Sequence, residues 1–163
     1  MACLLLIGAC GQRQPYVSSD WDFSAAFPST PVEEPLETRT AAGEKVTGRH
    51  FHTVAKSVGD SAFGVAIVVP SAADAKLATL DTARELVAAS ANAIARAEKG
   101  QMVRQGPIRS GSVEGYEFVA EAGKGRARFL VFAHRGRIYQ VQGLGDRGRA
   151  AEIDAFVDSF RLL

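Results

Sequence analysis

Cysteine is nearly absent: the chain has two, Cys3 and Cys10, both within the first ten residues. From Gly11 to Leu163 there is therefore no internal disulfide framework, no cysteine metal site and no cysteine nucleophile. An excess of one charge is also missing. Nineteen Lys and Arg against eighteen Asp and Glu leave +1, too little for a global field that recruits nucleic acid or an anionic membrane. The apolar run near the N-terminus, Leu4 to Ile7, is far shorter than the ~20 residues of a membrane-spanning helix. Catalytic signatures are scarce as well. There is no GxSxG elbow, since Gly111-Ser112-Val113-Glu114-Gly115 has the wrong spacing, and no HExxH, Walker loop or EF-hand loop. An enzyme is the less expected class.

What is present suits one ordinary globular domain: 163 residues, 47% hydrophobic and 23% charged. Alternating patterns predict strands over 22–28, 34–40, 44–56 and 61–69, broken by Pro28, Pro31, Ala42-Gly43 and Gly59-Asp60. In 61–69 the large Phe63, Val65, Ile67 and Val69 alternate with Ala62, Gly64 and Ala66. That pattern predicts a central strand whose small side admits a packed helix. From about 75 to 99 the period becomes helical, with Leu77, Leu80, Ala83, Val87, Ala91 and Ile94 in one stripe and Gly100 beyond it. Strands over 102–108, 113–121, 126–134 and 137–144 follow, joined by short turns at Ser110-Gly111, Gly123-Lys124-Gly125 and Arg135-Gly136. A last helix, 149–160, carries Ile153, Phe156, Val157 and Phe160 at i, i+3, i+4 and i+7. The fold class expected is α+β: a predominantly antiparallel sheet with helices packed on its faces.

The N-terminus divides into a leader (1–10) and a polar tether (11–20) ahead of the domain (21–163). Leu4 to Ile7 followed by Gly8, Ala9 and Cys10 resembles the lipobox of bacterial lipoproteins, in which the cysteine is acylated and becomes the mature N-terminus. The resemblance implies lipid attachment at Cys10 and a cell-envelope protein anchored in the membrane. No Lys or Arg precedes Cys10, whereas a secretory leader has a basic start. The alternatives are a frayed apolar N-terminus or a first strand tucked into the core.

Three clusters in the body are candidates for chemistry. Gly143-Leu144-Gly145-Asp146-Arg147-Gly148 is a literal GxGxxG between a strand and a helix. A dinucleotide site also needs a second parallel strand and an acid about 20 positions on. Leu163 arrives before that position, so a glycine-rich loop is expected and no cofactor. His50 and His52 share a strand face and could reach one metal, with His134 or a carboxylate completing the set. The alternative is a polar strand face, and no metal is expected. Arg126, Arg128, Arg135 and Arg137 belong to a basic run in the last third. They are candidates for contacting an acidic partner or anionic headgroups, or else a solvated rim of hairpin tips. Sparse aromatic interleaving argues against nucleic acid.

The strand Asp22-Phe23-Ser24-Ala25-Ala26-Phe27-Pro28, the later Arg137-Ile138-Tyr139-Gln140-Val141-Gln142-Gly143 and the closing Phe156-Val157-Asp158-Ser159-Phe160-Arg161 resemble bacterial relatives of the PsbP/Mog1 superfamily. The resemblance spans about residues 21–163. It implies an α-β-α sandwich around an antiparallel sheet and a non-catalytic accessory role. Members of known role bind a photosynthetic complex or a small GTPase, and none of their functional residues maps here. The function expected is a non-enzymatic envelope lipoprotein binding an unidentified protein partner. A periplasmic small-ligand or metal-binding protein is the alternative.

Overall fold

The computed structural model describes residues 14–39, 45–53, 61–71, 78–97 and 100–163. Among the described residues, ten strands and two α-helices run in the order β1 (Tyr16–Ser18), β2 (Phe23–Ala25), β3 (Val32–Arg39), β4 (Lys45–His52), β5 (Ala62–Val69), α1 (Leu80–Arg96), β6 (Gln101–Ser110), β7 (Val113–Ala122), β8 (Gly125–His134), β9 (Arg137–Asp146), α2 (Ala150–Ser159) and β10 (Arg161–Leu162). Seven of the strands form one antiparallel sheet in the order β3-β4-β5-β9-β8-β7-β6. The other three make a small antiparallel sheet, β1-β2-β10.

The meander from β6 to β9 follows from its turns. Gly111, Gly123 and Gly136 have positive φ, and so does Arg135. Consecutive positive φ at Arg135 and Gly136 gives the primed geometry whose twist matches the flanking strands.

Alternation then sorts the side chains into two cores. On one face Phe118, Phe129, Val131 and Ile138 meet the α1 stripe of Ala83, Val87 and Ala91. That helix starts at Thr79, whose Oγ1 accepts from the Thr82 N–H, satisfying an otherwise orphan donor. On the other face Phe51, Val65, Tyr139 and Val141 meet Ile153, Phe156 and Val157 of α2 and Phe23 of β2. Each such fully buried large side chain contributes about 1.5–3 kcal/mol. The result is three layers: α1, the large sheet, and α2 beside the small sheet. This is the α+β sandwich expected.

Three details differ from the expectations. The segment expected as a tether contains β1, paired Tyr16↔Ala25, Val17↔Ser24 and Ser18↔Phe23, so the folded unit already includes Tyr16. The chain adds β10 after α2, which returns to pair with β2. The small side of β5 does not receive a helix, because α1 packs chiefly on β7 and β8. Side chains of neighbouring strands fill that space instead. A Cβ on Gly64 would lie 2.8 Å from His50 Nε2 and 3.2 Å from Gln142 Nε2.

The GxGxxG run is neither loop nor phosphate cradle over most of its length. Gly143 and Gly145 lie in β9, and Asp146 caps the tight turn that follows by accepting from the Gly148 N–H at 2.7 Å. A Cβ on Gly143 would stand 2.9 Å from Ile153 Cγ2. The glycine is there so that α2 can approach the sheet.

Candidate functional site

Arg126 and Arg128 do not form an open cationic rim. Both project from β8 toward α2, and Arg128 is only 7% exposed. Its Nε donates to Glu117 Oε1 at 2.7 Å, Nη1 to Asp154 Oδ1 at 3.1 Å and Nη2 to Asp158 Oδ1 at 2.7 Å. Arg126 reaches Glu121 at 2.9 Å and Asp154 at 3.1 Å. Arg104 of β6 closes on the other oxygen of Glu117 at 2.6 Å, and Arg147 on Glu121 at 2.7 Å. Four arginines and four carboxylates thus make one neutral network that fastens α2 to three strands. Burial works to lower the pKa of Arg128, but its charge-assisted bonds to Asp158 and Glu117 outweigh that and raise it. Arg126 shows the same balance, with Asp154 and Glu121 prevailing over burial. These guanidiniums are held permanently charged in a place where only paired charge is tolerated.

The other two arginines of the expected rim sit at the β8–β9 turn and are also engaged. Arg135 reaches Asp22 Oδ1 at 3.2 Å and Arg137 reaches Asp22 Oδ2 at 3.4 Å. Arg137 also donates to the Asp20 carbonyl and lies 5.0 Å from the Trp21 ring centroid, with Arg49 at 5.9 Å. The β1–β2 turn is thereby tied to the β8–β9 turn, with Asp22 itself at φ 50°. Of the four, Arg135 alone keeps more than half of its side chain in solvent.

His50 and His52 are brought together as their spacing predicts. Their rings stack at 4.7 Å between centroids and 22° between planes. His50 Nε2 and His52 Nδ1 are buried and have no hydrogen-bond partner among the described residues. Burial first, then the neighbouring His52, push the His50 imidazole below its ordinary pKa, against the opposing pull of Glu34. Two rows meet at the pair. Register places His50 between Glu34 and Ala66, with Gln140 beyond, and His52 between Val32 and Gly64, with Gln142 beyond. His134, expected as a third ligand, cannot join them. It pairs with Arg137 at the end of β8, where alternation from the buried Leu130 and Phe132 puts it on the opposite face of the sheet. Among the described residues no group of three or more His, Cys, Asp or Glu side chains is arranged to hold a metal.

A cleft of about 400 Å³ opens between the β6–β7 turn and the end of α2. Arg109, Ser110, Arg128, Asp158 and Arg161 line its polar side. Its volume falls in the range of small-molecule sites, but most of that polar lining is already committed. Arg128 belongs to the network, Ser110 Oγ accepts from the Leu162 N–H at 3.1 Å, and Arg109 pairs with Glu114 at 3.3 Å. Cys10 lies outside the described residues.

The missed elements were the partners rather than the arginines. The acids at 117, 121, 154 and 158 are scattered in sequence, and only the antiparallel register gathers them. One signal was available: Glu117, Glu121, Arg126 and Arg128 all fall at positions where the strand pattern points them to one face.

No protein-family model matches the chain, and no curated protein matches it. Among solved structures the chain is similar to the solution structure of cyanobacterial PsbP (CyanoP) from Synechocystis sp. PCC 6803. Identity is 15%, the TM-score is 0.52, and the match covers 98% of this chain and 99% of that one. The fold is PsbP-like.

Proposed function

We propose that this PsbP-like chain is a non-enzymatic accessory or binding domain of the bacterial cell envelope, held at the membrane by lipid on Cys10 and engaging a protein partner. The observation that carries the reading is the similarity of fold to a PsbP protein along nearly the whole chain. It agrees with the accessory role implied by the sequence resemblance. The polar clusters support it too, since Arg126 and Arg128 are spent on holding α2 through Asp154 and Asp158. The partner surface therefore lies elsewhere than on the Arg126–Arg128 pair.

The test is expression in a bacterial host with labelled fatty acid, followed by mass spectrometry of the N-terminal peptide and of proteins cross-linked in the envelope fraction. Acyl label on Cys10, lost in Cys10→Ser, and a reproducible cross-linked protein are expected. Unacylated, partner-free protein confined to the cytosol would overturn the reading.

The second reading, a metal- or small-ligand-binding protein, is favoured by one observation, the unpartnered buried nitrogens of His50 and His52. A His50→Ala/His52→Ala variant that loses zinc or copper affinity would support it. A wild-type protein without stoichiometric affinity for either metal would remove the metal form of it.

A further inference from the structure

The small sheet packs one side on the core and leaves two apolar side chains beside its other side in solvent. Phe23 and Ala25 of β2 are fully buried against the core, so alternation turns Ser24 to the opposite side, where it is 9% exposed beneath its neighbours. Register sets Val17 and Arg161 on either side of Ser24 in one row across the sheet. Leu163 continues from β10, its N–H donating to the Asp22 carbonyl at 3.0 Å. Val17 is 59% exposed and Leu163 51%, two of the five large hydrophobic residues left in solvent among those described. Arg161 donates to the carbonyls of Asp158 and Phe160. No carboxylate among the described residues neutralises it. Trp21 is half-buried at the same end, in the turn between β1 and β2.

Resting on the lipid-anchored reading, we infer that this face of the β1-β2-β10 sheet lies flat on a bilayer surface containing anionic lipid. Val17 and Leu163 enter the headgroup boundary and Arg161 meets lipid phosphate.

The length of chain between anchor and fold argues for this occupant. Six residue steps separate Cys10 from Tyr16, a reach of about 20 Å even when fully extended. The α1 face lies beyond the large sheet, two layers of about 10 Å each, which exhausts that reach. Within the near layer, α2 carries none of the five exposed large hydrophobic residues. The small sheet is the part of that layer offering apolar side chains and an uncompensated cation. One cation at a charged surface and two apolar side chains give a weak, reversible contact. Such a contact orients an anchored domain without holding it alone.

The protein carries a single tryptophan, and it sits beside the proposed contact. The full-length acylated chain is reconstituted in vesicles of phosphatidylcholine alone and of phosphatidylcholine with phosphatidylglycerol. Trp21 fluorescence is then read with acrylamide in the water and brominated acyl chains in the bilayer. Shielding from acrylamide and quenching by brominated lipid are expected with phosphatidylglycerol, and both should weaken at high salt. Arg161→Glu should shift the contact equilibrium at least about fivefold toward the undocked state. Val17→Ser should shift it in the same direction. Both side chains are exposed, and unchanged circular dichroism checks that each variant folds. Acylated protein whose Trp21 is equally accessible on both vesicles overturns the docking surface and leaves the anchor standing. A full-length product without fatty acid on Cys10 overturns the anchor and the docking surface together.

Discussion

Replacing Arg128 by Met keeps the length and volume of the side chain while deleting its charge. The loss falls unevenly on its three acids. Asp158 is largely solvated and returns to water, while Asp154 keeps Arg126. Glu117 is buried and keeps only Arg104, itself more than half exposed. The cost is therefore that of a buried carboxylate stripped of one of two cations, about 3 kcal/mol, the lower end for breaking a buried pair. For a chain of this size that lowers Tm by about 6–12 °C. The companion variant Arg128→Met/Glu117→Leu removes both charges, lets Arg104 swing into solvent, and should lie within about 1 kcal/mol of the parent. Urea denaturation followed by circular dichroism reads both, with m-values checked for two-state behaviour. A single variant costing less than about 1 kcal/mol, or a double variant costing more than the single, would refute the reasoning.

Two further outcomes follow from the sheet. Burial and His52 hold the His50 pKa below its ordinary value, so the unfolded chain takes up this proton more readily than the folded one. Stability should fall as pH drops through about 6.5 and below, and His50→Gln should flatten that slope in denaturation measured across pH 5–8; an unchanged slope removes His50 as its source. Gly115→Ala should cost about 1–3 kcal/mol, because its Cβ would meet Phe132 Cε1 at 2.3 Å and the Val131 carbonyl at 2.7 Å. A shift of Tm indistinguishable from zero would mean that the Phe132 ring and the β8 backbone yield freely.

The last four large-sheet strands were legible because each combines alternation with a glycine turn: β6 to β9 lie within two residues of their expected bounds. The stripes of α1 and α2 were legible for the same local reason. β1 and β10 were not. Two or three residues such as Tyr16–Ser18 or Arg161–Leu162 cannot display a period, and they are strands only because β2 pairs with both. The stacking of His50 on His52 could be read from i, i+2 spacing, but the absence of His134 from their side of the sheet could not. That depends on which face His134 takes in a strand more than eighty positions away. The basic run was visible and its meaning was not, since arginine count carries no information about which acids fold onto it.

The pairing of β2 with strands from both ends of the fold has a consequence for how the chain is made. Phe23 is opposed on one side by Ser18 and on the other by Leu162. During synthesis the small sheet cannot close until residue 162 has left the ribosome, and Phe23, Phe132 and Phe160 cannot complete their shared stack. A nascent chain in that state presents unpaired strand edges and bare aromatic surface. The last strand acts as a clasp that shuts only once the whole fold has been synthesised.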